Sequence, residues 1–204
     1  IVVLVTGKPF ELIRIREKVE AVVVQWYAGE EQGSAIAELL FGRENFSGRL
    51  PVSFPKSVGQ LPCYYNWMPT DKGYYNRKGS IGKPGRDYVF SDPYALYDFG
   101  YGLSYTTFEY GKAKLSKAAM GKKETVTLSV PVRNTGKIAG EEVVQVYIRR
   151  VADTEGPIKS LRAFKRIPLK AGQATMVELE LPAERFECFD AESNAMRVMS
   201  GKYE

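Results

Sequence analysis

The side chains of this 204-residue sequence that could do chemistry are mainly carboxylates, and their spacing decides what they can do. Three groupings set two acids close together: Glu30 with Glu31, Glu141 with Glu142, and Asp87 with Asp92. Two carboxylates share acid–base or nucleophilic work only when both reach one substrate atom. Neighbouring acids on a strand point to opposite faces, and neighbouring acids at a helix start also diverge. Solvated surface is the expectation for all three groupings. Ser34, Ser47 and Ser53 carry a nucleophile's hydroxyl but have no base to activate it, since the chain holds no histidine. That lack also excludes a histidine triad, a histidine–metal site and a histidine acid–base from these residues. Cys63 and Cys188 stand without metal or redox spacing and read as free thiols. "LVTGKP" (4–9) follows an apolar run, yet lacks the glycine spacing of a dinucleotide loop and the Ser/Thr of a Walker loop. No catalytic residue, metal or cofactor is therefore expected within this chain.

Binding chemistry is better represented. Trp26, Trp67, Tyr64–Tyr65 and Tyr74–Tyr75 could stack on sugar rings, because an aromatic face matches the C–H face of a pyranose. Trp67 and Tyr64, in a loop-like stretch near Pro69, are the candidate substrate-binding residues. Trp26 ends an apolar run and reads as packing. The plainer alternative is that the tyrosines pack their own segment.

The elements that must position these residues change character along the chain. "IVVLV" (1–5) and "AVVVQW" (21–26) are continuous β-branched runs, which suits central parallel strands covered on both faces. "KPFELIRIREKVE" lies between them as a helical or extended crossover. Residues 30–41 place Ile36, Leu39 and Leu40 on one helical face, with Glu30 and Glu31 near the positive end of the helix dipole and Gly42 near its close. "SGRLPVSFP" (47–55) reads as a short strand bracketed by prolines. Together these form part of an α/β layer over 1–58.

Residues 59–107 form a connector rich in Tyr, Gly and Pro, without sustained periodicity. Its last stretch, "YDFGYGLSYTTFEY" (97–110), sets two glycines among aromatic residues, as a packed hinge between modules would. From Thr125 the apolar alternation is clear. "TVTLSVPV" faces Val126, Leu128, Val130 and Val132 one way, "EVVQVYI" does so with Val144, Val146 and Ile148, and "TMVELELP" with Val177, Leu179 and Leu181. Strands of this kind between Gly, Pro and Asn turns predict a fibronectin type III-like sandwich over 108–204.

The chain is 44% hydrophobic with net charge +5. Residues 1–55 hold six basic and seven acidic side chains, 56–110 six and five, and 111–204 seventeen and twelve. The basic excess is thus in the last part, in scattered pairs with no nucleic-acid motif, so no nucleic-acid partner is expected. No run reaches the roughly 18 apolar residues of a membrane span. The chain opens inside an apolar run and closes just after a turn-like Ser-Gly, so both ends are expected to continue.

"AVVVQWYAGEEQGSAIAELLFGRENFSGRLPVSFP" resembles a signature block of family 3 glycoside hydrolases. Trp26, Gly29, Glu31, Gly33, Ala35, Leu40, Phe41, Gly42, Asn45, Ser47, Gly48, Arg49, Leu50 and Pro51 match it, while Ala28 and Phe46 replace prolines usual there. "GKPGRDY" and "LYDFGYGLSYTTFEY" resemble the next two signature segments. "VRNTGKIAGEEVVQVYI" and "LRAFKRIPLKAGQ" resemble the fibronectin-like module that closes many of these enzymes. The resemblance implies the end of an α/β sandwich plus that module, from a β-glucosidase-like retaining enzyme that acts on O-glycosidic bonds, periplasmic or secreted. It also implies that the nucleophilic Asp lies in an N-terminal TIM barrel and the acid–base Glu lies before Ile1. Retention needs two carboxyl groups about 5 Å apart, so this stretch alone is expected to be inactive. The carbohydrate partner would then be met through the full-length enzyme, with barrel and upstream strands as covalent partners and self-association through the bared sheet edge. The reading from another class is a free-standing carbohydrate-binding or adhesion module.

Overall fold

A computed structural model describes residues 1–68, 82, 94–154 and 156–204, which fall into two compact units, Ile1–Leu103 and Ser104–Glu204. Tyr74–Tyr75, the pair Asp87 and Asp92, and all of "GKPGRDY" except Gly82 lie outside the described residues. No described helix is long and apolar enough to cross a membrane.

In the first unit, β1 (Val2–Leu4) and β2 (Val22–Val24) run parallel, Val2 opposite Val22 and Leu4 opposite Val24. Parallel neighbours require a crossover, which a single helical turn, α1 (Ile13–Arg16), supplies. Leu12 at its start is almost fully buried. The six strand residues are only half-buried, and among the described residues these strands pair with each other alone. The apolar run demands cover on both faces, which the half-buried strands have only in part, and Ile1 and Val5 are exposed.

Helix α2 (Gln32–Leu40) forms where its periodicity places it, with Ile36, Leu39 and Leu40 turned to its half-buried side. Glu31 caps it without a side-chain bond to the backbone; its Oε2 instead accepts the Ser34 hydroxyl at 3.1 Å. The carboxylate there faces the positive end of the helix.

The segment 47–55 is not a regular strand. Its backbone meets 96–101 in separate bonds, Leu50 N–H to Tyr101 O at 2.8 Å, Gly100 N–H to Leu50 O at 2.7 Å, and Phe54 N–H to Tyr97 O at 2.8 Å. Pro51 and Pro55 have no N–H to give, so a continuous ladder cannot form. The two glycines among the aromatics find their reason here. Gly100 has φ +81°, a left-handed conformation, and a Cβ on Gly102 would overlap the carbonyl oxygen of Gly48.

The second unit is a sandwich. One sheet centres on β5 (Thr125–Asn134), flanked by β3 (Phe108–Tyr110), β4 (Lys114–Leu115) and the long partner β8 (Ala174–Pro182). The other pairs β6 (Gly140–Ile148) with β7 (Ser160–Leu169), with an irregularity between Val146 and Tyr147. A hairpin of β9 (Glu187–Asp190) and β10 (Ala195–Val198) follows. Val130, Val132, Val144, Ile167, Leu169, Val177 and Leu179 form one buried cluster, and Val126, Ile148 and Leu181 a second. Every core position read from the alternation joins these clusters, with Leu128 and Val146 half-buried against them.

Candidate functional site

The aromatic candidates belong to the first unit, where polar anchors hold their segment. Gln60, 1% exposed in a 3-10 turn (Val58–Gln60), accepts the Lys56 N–H at Oε1 and donates from Nε2 to Tyr94 O, both at 2.7 Å. A buried amide bonded at both ends fixes its backbone neighbours, since each lost bond would strand a desolvated group. Tyr65 stacks on Phe99 at 4.1 Å between ring centroids, and Tyr97 on Tyr101 at 5.5 Å. Tyr64 is 57% exposed, while Trp67 is half-buried. The structure thus presents Tyr64 to solvent beside the packed Tyr65.

Trp26 lies at the C-terminal end of β2 with φ 57°, left-handed for a bulky side chain. Its ring sits 6.0 Å from that of Phe54, which is fully buried. The reversal sends Trp26 to packing and leaves Tyr27 exposed, its ring against the backbone of Gly7.

The carboxylates do not converge. Glu141 Oε2 accepts Arg166 Nη1 at 3.0 Å, whereas Glu142 is buried and its Oε1 accepts the Val143 N–H at 2.9 Å. Surface solvation holds for Glu141 but not for Glu142, whose strand position faces inward in step with Val144. Elsewhere, the Gly121 N–H and then Lys117 hold the Glu124 carboxyl below its usual range, and the Ser193 hydroxyl does the same for Asp190. Both are turn-closing contacts. No cluster of three metal-ligating side chains exists among the described residues. Neither Cys63 nor Cys188 is in a disulfide among the described residues.

Comparison with known proteins supplies what the geometry does not. The profile of the glycosyl hydrolase family 3 C-terminal domain matches residues 1–105, and that of the fibronectin type III-like domain matches 142–204. A xylan 1,4-β-xylosidase of Xylanibacter ruminicola is 44% identical over 199 residues, 98% of this chain and 21% of that protein. A periplasmic β-glucosidase of Salmonella typhimurium is 39% identical over 208 residues, 98% of this chain and 27% of that protein. A crystal structure of a β-glucosidase from Listeria innocua aligns with TM-score 0.86 at 33% identity, covering 98% of this chain and 28% of that one. The chain therefore spans about a quarter of the length of the relatives it matches.

Proposed function

The chain belongs to glycosyl hydrolase family 3 through its C-terminal domain, and we propose that it is the non-catalytic C-terminal portion of a retaining glycosidase acting on β-glucosides or β-xylosides. The observation that carries this reading is coverage: relatives named β-xylosidase and β-glucosidase match 98% of this chain with only 21% and 27% of their own length. The structure supports it, because Glu31, Glu141 and Glu142 are engaged in local contacts rather than aimed at a shared point.

On this reading the nucleophile and the acid–base carboxyl, about 5 Å apart, belong to the part of the enzyme that corresponds to the relatives' remaining length. The present chain supplies a scaffold. Its β1–β2 pair joins a larger sheet, and its fibronectin-like unit is built on its own core. In a preparation of the chain alone, the open edges of β1 and β2 would recruit a second copy, since unpaired backbone groups seek partners. Tyr64 and Trp67 are proposed to border the bound sugar.

Hydrolysis by the complete reading frame tests the proposal. A frame that encodes these residues with several hundred more, and turns over aryl β-glucosides or β-xylosides, is the expected result. A frame that ends within this stretch, or a full-length product with no glycosidase activity, would overturn it.

A further inference from the structure

Strands β7 and β8 belong to different sheets of the sandwich, and each has one edge without a strand partner among the described residues. Between these edges lies a cleft of about 360 Å³, lined by residues 161–165, 178–180 and Arg185. That volume lies within the range of small-ligand sites. Alternation along β8 buries Val177, Leu179 and Leu181, so Glu178 and Glu180 face the outer side and reach the cleft only at its rim.

Three cations, Arg162, Lys165 and Arg185, line the cleft together with those two glutamates. Lys165 keeps step with buried Ile167 and Leu169 yet is exposed, its Nζ lying 3.4 Å from the Glu178 carbonyl oxygen. Arg162 donates from Nη2 to Glu187 O at 2.7 Å. Arg185, exposed on the 3-10 turn Ala183–Phe186, makes no hydrogen bond or ion pair among the described residues. Phe164 beside them is 68% exposed. A lysine on an edge strand guards against pairing with other chains, which explains Lys165. It explains neither an unpaired arginine nor an open aromatic ring beside it.

We propose that this cleft binds a carboxylate-bearing sugar, a uronic-acid unit of an oligosaccharide. The planar guanidinium of Arg185 matches a carboxylate fork, with Lys165 as a second positive charge. The C–H face of the ring packs on Phe164. No bond is made or broken here. The choice of a sugar rests on the glycosidase reading; the preference for an anion rests on the cations.

Nuclear magnetic resonance titration of the 204-residue chain tests this, with three probes: a glucuronic-acid-substituted xylo-oligosaccharide, the neutral xylo-oligosaccharide of equal length, and acetate. The acidic sugar should shift signals of residues 161–165 and 178–185 saturably and bind about tenfold or more tighter than either other probe. Arg185→Gln and Phe164→Ala, both at exposed positions, should each raise its Kd about tenfold with unchanged melting temperature. Met176→Ala, on the outer face of β8, should leave the Kd unchanged. The proposal fails if no saturable shift occurs at the cleft, if the neutral sugar or acetate binds as tightly, or if both cleft variants bind normally. Each of these failures leaves the hydrolysis test of the complete reading frame untouched.

Discussion

Replacing Asn134 by alanine should destabilise the fibronectin-like unit more than any exposed substitution in it. The side chain is 0% exposed and uses its whole bonding capacity. Its Nδ2 donates to Ile138 O at 2.8 Å and Leu169 O at 3.1 Å, while Oδ1 accepts the Thr106 hydroxyl at 2.6 Å and the Gly136 N–H at 3.0 Å. Four bonds at about 1 kcal/mol each amount to about 4 kcal/mol, and the stranded buried carbonyls push the loss upward rather than down. For a unit of roughly 100 residues this is a fall in melting temperature of about 15–30 °C. Trp26 and Trp67 both lie in the first unit, so far-UV circular dichroism under urea, rather than tryptophan fluorescence, is the assay. Asn134→Asp is the second arm. It keeps the shape but sets a carboxylate against two carbonyl oxygens, so its penalty should grow as pH rises above the carboxylate range. A loss below about 1 kcal/mol for Asn134→Ala would refute the view that this network ties β5 to its turn and to β7.

Gly102→Ala should lower the stability of the first unit clearly more than Gly48→Ala, because the first Cβ meets a backbone oxygen and the second meets open space; equal melting temperatures would contradict this. Burial raises the Tyr203 hydroxyl above its usual range while it donates to Met199 O at 2.7 Å. A raised folded value gives stability that is complete below about pH 10 and lost as pH rises through the folded value, so alkaline unfolding should steepen above about pH 10 and Tyr203→Phe should remove that component. In a dilute monomeric sample, amides of Val2 to Leu4 should exchange with solvent faster than those of Val144 to Ile148; equal protection would show that the β1–β2 pair needs no further cover.

The sandwich was legible because its strands alternate plainly: Val126 to Val132 and Val177 to Leu181 show the period of two without interruption. Strand β7 did not announce itself in that way. Lys165 holds an inward position, Phe164 an outward one, and the irregularity beside Val146 breaks the period that a sequence reading relies on. The segment 47–55 misled for the opposite reason, since its apolar residues suit a strand while Pro51 and Pro55 prevent the ladder. Burial of Glu142 had no local signal, because it depends on which face of β6 packs inward. For the function, no spacing within this chain could serve, because the proposed function puts the catalytic carboxylates in other segments. Only the resemblance of several motifs in order, "AGEEQG" and "GRLP" to "FGYGLSY", carried that information.

The most direct measurement is hydrolysis by the purified 204-residue chain itself. Folded and free of host glycosidases, it should show no turnover of aryl β-glucosides or β-xylosides at any pH beyond that of a mock-purified sample, because a retaining mechanism loses its rate with either carboxyl missing. Turnover above the mock sample that survives a second, independent purification would contradict the assignment of a non-catalytic role.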